Sequence, residues 1–226
     1  MFLLRPPGVY RPQGDTALLA AAFALVELQP GARVLDVGTG TGAMAVLAAR
    51  RAGVRVTAVD RSLRAVVAAR FNTLIRGLAV RVVHGDLFTP LDGQVFDLIV
   101  SNPPYVAGRS APPPAHGRAR AWDAGLDGRA ILDRICSLAP AHLARGGSLL
   151  MVHSALNGVD ASLRRLREAG LRTSVVARRR EPFGPVMRAR KGILQLQGLL
   201  EPEHDDEELV VIRADTFDSD TRWQAA

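Results

Sequence analysis

Residues 33–42 constrain the fold more than any other stretch of the chain. A short apolar run from Arg33 to Val37 leads straight into glycines at 38, 40 and 42, and then into an alanine-rich segment with helical spacing. A strand that turns into a helix over alternating glycines lets the backbone approach a ligand closely, because no Cβ stands in the way. The free N–H groups at the start of the helix then face an anionic group. The rest of the chain repeats the pattern. Apolar or β-branched runs predict strands at Arg33–Val37, 54–59, Val80–His84, Phe96–Ser101, 148–153, 171–177 and 208–214. Helix-period segments lie at 15–28, 42–51, 62–76, 128–144, 158–169 and 185–200. Strands alternating with helices predict an α/β chain, a doubly wound and mostly parallel sheet covered on both faces.

The chain has 226 residues, 48% of them hydrophobic, which suits one core and a single domain over 1–226. No apolar run approaches the roughly 20 residues of a membrane span. Arg5, Pro6, Pro7 and Gly8 interrupt the apolar start before a signal-peptide core could form, so a soluble cytoplasmic protein is expected. Cys136 is the single cysteine, which excludes an intrachain disulfide and a cysteine-rich zinc site; its helical neighbours Ile131, Leu132, Ile135 and Leu138 make it a core residue. The histidines at 84, 116, 142, 153 and 204 lack metal-ligand spacing, so no metal is assigned, and His153 at a strand end is read as structural. A formal charge of +7 suits an anionic partner such as RNA or a ribosome-associated protein, although arginine-rich composition alone also produces it. Three segments read as irregular. Residues 1–14, with prolines at 6, 7 and 12, form an arm leading to a helix capped by Asp15. Residues 107–120, with Pro112, Pro113 and Pro114, form a surface loop placed to act as a substrate lid. Residues 201–208 are acidic and read as a solvated turn.

The residues that carry chemistry fall at the ends of the strands. Asp36 lies inside the strand, two residues before the first glycine, where it would repel a pyrophosphate but can anchor an ammonium group. The glycines alone also fit a dinucleotide turn through Gly38, Gly40 and Ala43. Asp60 ends the second strand, where a carboxylate can accept two hydrogen bonds from ribose hydroxyls. Asp86, with Leu87 beside it after the third strand, can accept from the exocyclic amine of adenine. The most specific feature is Asn102, Pro103, Pro104 and Tyr105 at the end of the fourth strand. Adjacent prolines hold the backbone extended. The Asn102 side-chain oxygen and the Pro103 carbonyl can then accept both protons of one planar NH2 group, while Tyr105 stacks on its face. Accepting those protons localises the nitrogen lone pair and aims it for in-line displacement.

Together these residues resemble the class I S-adenosylmethionine-dependent methyltransferases, and among them the HemK/PrmC family of protein-(glutamine-N5) methyltransferases. The resemblance implies a Rossmann-like seven-stranded sheet with an antiparallel last strand. It implies S-adenosylmethionine as cofactor, held by Asp36, Gly38, Gly40, Gly42, Asp60, Asp86, Leu87 and Asn102, with Asn102, Pro103, Pro104 and Tyr105 as catalytic and substrate-binding tetrad. Tyr10, Asp15 and Thr16 are similar to the arm of the short branch of the family, where they lie near the cofactor. The segment from Trp122 to Gly128 is similar to the glycine-rich lead into the next helix, with Ala124 in place of the first glycine. The implied acceptor is the glutamine of a Gly-Gly-Gln loop in a translation release factor. The helical domain that precedes the core in bacterial release-factor enzymes has no counterpart here, and residues 179–207 read as an insertion before the last strand, including Arg178 to Arg180 at its start. Two other readings fit the residues: an amino-methyltransferase of RNA or DNA, with basic patches at 178–180 and 188–190, and a non-catalytic cofactor-binding partner.

Overall fold

The computed structural model describes residues 2–108, 111–114, 117–201 and 203–217. Its sheet contains β1 (Arg33–Val37), β2 (Arg55–Asp60), β3 (Val80–His84), β4 (Phe96–Ser101), β5 (Leu143–Ser154), β6 (Arg172–Pro182) and β7 (Asp206–Asp215). The spatial order is β3-β2-β1-β4-β5-β7-β6. Strands β1 to β5 pair in parallel, and β7 is antiparallel to both β5 and β6. The doubly wound sheet with an antiparallel last strand is thus the one the sequence predicts. Parallel strands need crossovers, supplied by α2 (Ala43–Ala49), α3 (Leu63–Leu74), α4 (Ala130–Leu138) and α5 (Val159–Glu168). Right-handed crossovers that run outward in opposite directions from β1 put α2 and α3 on one face and α4 and α5 on the other. Helix α1 (Gly14–Ala24) precedes the sheet, and α6 (Pro185–Leu196) joins β6 to β7.

The middle strands are buried from both faces and therefore read as continuous apolar runs rather than alternations. Leu149 to Val152 of β5 and Val34 to Val37 of β1 are buried throughout. Each large aliphatic side chain so buried contributes about 1.5–3 kcal/mol. The strand order reverses between β1 and β4, and the crevice beyond their carboxyl ends is where an open α/β sheet binds ligands.

Several boundaries correct the sequence reading. Helix α1 starts at Gly14 with Gln13 in the cap position, so Asp15 does not cap it. The segment read as one helix over 128–144 stops at Leu138; a short turn through Pro140 follows, and β5 takes up the chain from Leu143. The largest correction concerns 179–207. Strand β6 continues to Pro182, so Arg178 to Arg180 lie within the sheet, and β7 begins at Asp206. The connection is thus confined to 183–205. Its acidic end is no simple solvated turn either: Asp206, Glu207 and Glu208 pair in register with Pro182, Glu181 and Arg180. Arg178 bonds Glu208 at 2.6 Å, Arg179 bonds Glu181 at 2.7 Å, and Arg180 lies 3.8 Å from Asp206. Arg178 and Arg180 thus find their carboxylates across the ladder, a pairing that sequence distance hides, while Arg179 finds its own within β6.

Candidate active site

A cavity of about 770 Å³ opens at the carboxyl ends of the strands, within the roughly 300–1,000 Å³ typical of small-molecule sites. Its cofactor-side wall begins at the glycine turn. Gly38 and Gly40 have positive φ of 72° and 56°, and both line the cavity. A Cβ on Gly38 would meet no protein atom within 4 Å, and one on Gly40 only the Gly38 carbonyl at 4.0 Å. Both positions therefore border open space that a side chain would fill. Gly42 differs: it does not line the cavity, and its Cβ would lie 3.1 Å from the Ala69 backbone. The third glycine therefore serves the packing of α2 against α3.

Asp36 is buried at the floor of this wall. Its Oδ2 accepts from the Thr39 hydroxyl at 2.5 Å and from the Ala45 N–H at 3.0 Å, so that helix N–H is spent on Asp36. Burial pushes the carboxyl up to about 7; the bonds from Thr39 and Ala45 oppose the rise, and nearby Asp60 adds to it. A cationic group in the cavity would restore the charge. Asp60 lines the cavity at the end of β2 and accepts the N–H groups of Gly40 at 2.9 Å and Ser62 at 2.8 Å. Asp86 and Leu87, after β3, also line the cavity. Asp86 is half-exposed and pairs with Arg134 at 2.7 Å, a partner the sequence did not suggest. Leu87 has φ of 50°, strained for a residue with a side chain, which places a distorted backbone at the cavity rim.

The tetrad forms another part of the lining. Asn102, Pro103, Pro104 and Tyr105 all line the cavity. The Asn102 Nδ2 donates to Thr16 Oγ1 at 3.0 Å, which leaves its Oδ1 as the acceptor beside the Pro103 carbonyl. Thr16 is set in turn by Asp15, whose Oδ1 accepts from the Thr16 N–H at 2.5 Å and the Thr16 hydroxyl at 3.2 Å. The other oxygen of Asp15 accepts from two phenols, Tyr10 at 2.9 Å and Tyr105 at 3.2 Å. Burial and the neighbouring Asp15 hold both phenols well above the ordinary tyrosine range, so they remain donors. The expected cap residue is thus the hub of the site, joining arm, α1 and tetrad.

Positioning residues outside the motifs complete the arrangement. Asn72 of α3 is fully buried and clamps the arm, accepting from the Leu4 N–H at 2.8 Å and donating to the Leu4 carbonyl at 2.9 Å. Asn157 donates to the Tyr105 carbonyl at 2.7 Å and the Asp127 carbonyl at 3.2 Å. Gly128 passes so close beneath that a Cβ would lie 2.2 Å from the Tyr105 carbonyl. Within the expected lid, Pro113, Pro114 and Gly117 line the cavity; residues 109, 110, 115 and 116, including His116, lie outside the described residues. The 183–205 connection adds a wall through Val186 and Met187, fixed by Arg190 to Asp123 at 3.0 Å and by Gln197 to the Gly108 carbonyl at 3.1 Å. His153 is fully buried, burial lowers it to about 4, and it does not line the cavity. Cys136 is buried in α4. No group of metal-ligating side chains and no helix long and apolar enough to cross a membrane occurs among the described residues.

A glycine cradle, a buried acid beneath it and an oriented Asn-Pro-Pro-Tyr tetrad share one cavity, and residues 4–181 match the family described as Methyltransferase small domain. The chain belongs to that family. Within it, the chain falls in the HemK/PrmC group. It is 31% identical over 181 residues to a Methanocaldococcus jannaschii protein named as a putative protein N5-glutamine methyltransferase, across 80% of this chain and 90% of the relative. It is 40% identical over 174 residues to the release factor glutamine methyltransferase of Bordetella pertussis, across 74% of this chain but 64% of that longer relative. The E. cuniculi Mtq2–Trm112 complex, described as responsible for methylation of the eRF1 termination factor, superposes with a TM-score of 0.64 at 23% identity, covering 92% of this chain and 99% of that one. The family's Rossmann-like methyltransferase fold is therefore the fold of this chain.

Proposed function

We propose that this chain transfers a methyl group from S-adenosylmethionine to the side-chain amide nitrogen of a protein glutamine, the acceptor being the Gly-Gly-Gln loop of a translation release factor. The observation that carries the reading is the orientation of Asn102. With one amide N–H donated to Thr16, its Oδ1 is set as an acceptor for an NH2 group in the cavity. The names of the archaeal and Bordetella relatives support glutamine as the acceptor.

The residues fit the cofactor. Asp36 would hold its ammonium group, Gly38 and Gly40 would run beneath it, and Asp60, which lines the cavity at the end of β2, would face the ribose. When bound, S-adenosylmethionine supplies an electrophilic methyl group on a sulfonium. Asn102 Oδ1 and the Pro103 carbonyl accept the two amide protons, which opposes delocalisation of the lone pair into the amide carbonyl. The nitrogen forms a bond to the methyl carbon as the carbon–sulfur bond breaks, and one proton of the methylated nitrogen passes to water. Tyr105, its hydroxyl tied to Asp15, holds the flat amide in line.

The nucleic-acid reading has less support, since Arg178, Arg179, Arg180 and Arg190 each face a carboxylate. Incubation with labelled S-adenosylmethionine and, separately, release factor, total RNA and DNA tests the proposal. Label is expected on the release-factor glutamine, with Asn102→Ala reducing the rate roughly 100-fold or more. Label on RNA or DNA and none on protein would overturn it.

A further inference from the structure

Glu207 is a carboxylate with no job in the reaction described above, yet it lies in the same cavity. It is 9% exposed, lines the cavity, and its Oε2 is buried with no hydrogen-bond partner among the described residues. Its neighbours on the β6–β7 ribbon are all matched: Asp206 and Glu208 face Arg180 and Arg178, and Glu181, directly across the ladder, is held by Arg179. Among the described residues, Glu207 is the one of these acids without an ion-pair partner. A buried carboxylate oxygen without a donor is costly to folding, and such a group persists where a ligand supplies the donor.

The position fits one kind of donor. Burial pushes the Glu207 carboxyl up to about 7; a hydrogen bond from Ser154 to the carboxylate opposes the rise, and nearby Asp15 and then Glu181 add to it. Tyr10 and Tyr105 also lie within its electrostatic reach. Asn102, Thr16 and Asp15 are joined by direct hydrogen bonds, and Glu207 shares the cavity with them. A glutamine separates its side-chain nitrogen from its main-chain nitrogen by up to roughly 5–6 Å, the span of five bonds. Both oxygens of Asp15 are already filled by internal donors, whereas Glu207 Oε2 has no donor among the described residues.

Resting on the reading of a peptide glutamine as substrate, we propose that Glu207 is a substrate-recognition residue, whose inward oxygen accepts a main-chain N–H of the peptide segment carrying that glutamine. The acceptor is thereby selected as part of a peptide rather than as a free amide. A main-chain N–H is neutral, so the bond requires an acceptor oxygen and not a full charge, and an amide oxygen at the same place should serve in part.

The test compares wild type, Glu207→Ala and Glu207→Gln in steady-state methylation of intact release factor, with S-adenosylmethionine affinity by calorimetry and thermal midpoint alongside. Glu207→Ala should raise KM for the release factor roughly tenfold. It should leave cofactor affinity unchanged and the thermal midpoint equal or higher, because a buried unpaired acceptor is removed. Glu207→Gln should restore most of the KM. An unchanged KM in Glu207→Ala overturns the proposal, as does a loss of cofactor affinity equal to the loss of substrate affinity. Equal damage from Gln and Ala also overturns it, because the site would then require charge and a cationic ligand. Wild-type protein that binds S-adenosylmethionine but methylates no release factor sinks the substrate reading, and this proposal with it; methylation by wild type with an unaffected alanine variant sinks this proposal alone.

Discussion

Asp15 accepts four hydrogen bonds while 3% exposed, and replacing it should damage stability and catalysis together. In Asp15→Asn the amide oxygen must stay toward Thr16, because a main-chain N–H cannot turn round. The new NH2 then faces Tyr10 and Tyr105, whose hydroxyls must rotate to accept. Two bonds to a carboxylate, at about 1.5–3 kcal/mol each, become two neutral ones at about 0.5–1.5 kcal/mol, a net loss of about 2–3 kcal/mol. Asp15→Ala goes further and strands the Thr16 N–H and both phenols, costing about 3–5 kcal/mol. For a chain of this size each kcal/mol moves the thermal midpoint by about 2–4 °C. Calorimetry should therefore show falls of roughly 4–12 °C for Asn and more for Ala. Because Thr16 and Tyr105 both lean on Asp15, kcat for methyl transfer should drop about 10- to 100-fold. A double-mutant cycle isolates the coupling: Tyr105→Phe should cost less in an Asp15→Ala background than in wild type. Midpoints within about 1 °C of wild type, together with unchanged kcat, would refute the assignment of Asp15 as the hub of the site.

Three further outcomes follow from the geometry. Gly128→Ala should destabilise by about 3 kcal/mol or more, since φ is 70° and the new methyl would press on the Tyr105 carbonyl; an unchanged denaturation midpoint would contradict the close approach. Arg190→Ala leaves Asp123 buried without its cation, so stability should fall by about 2–4 kcal/mol and KM for the protein substrate should rise, with cofactor affinity unchanged by titration; a shift in cofactor affinity would argue against α6 as a substrate-side wall. The carboxyls of Asp36 and Glu207 stand near 7 in the folded chain, above ordinary values of 3.8 and 4.5. The unfolded chain loses these protons first, so their contribution to stability is full below about pH 4, is lost as pH rises through 7, and is level above that. The difference in stability between Glu207→Gln and wild type should thus grow in favour of the variant between about pH 4 and 7; a difference constant across that range would dispose of the argument.

Local patterns were enough for the elements and motifs. The run from Arg33 to Gly42 is read correctly because a strand, a glycine turn and a helix are each encoded within a few residues, and the tetrad because two prolines force their own backbone. Boundaries set by neighbours were not legible. Strand β6 runs through three arginines because β7 brings carboxylates to Arg178 and Arg180 and Glu181 of β6 itself meets Arg179. The burial of Glu207 left one faint signal, its two-residue spacing from Leu209 and Val211 on the inward face of β7, which the acidic composition of 201–208 obscured.

The sequence by itself determined the kind of sheet, the glycine cradle and the identity of the groups at the strand ends, since these depend on periodicity and on residues close together in the chain. Only the tertiary structure decided their roles. It turned Asp15 from a helix cap into a hub, assigned Gly42 to helix packing, and enclosed Glu207 beside the tetrad. Those roles arise from hydrogen bonds and packing between residues separated by tens of positions, such as Thr16 with Asn102 and Asp15 with Tyr105, and the chain must fold before those partners meet.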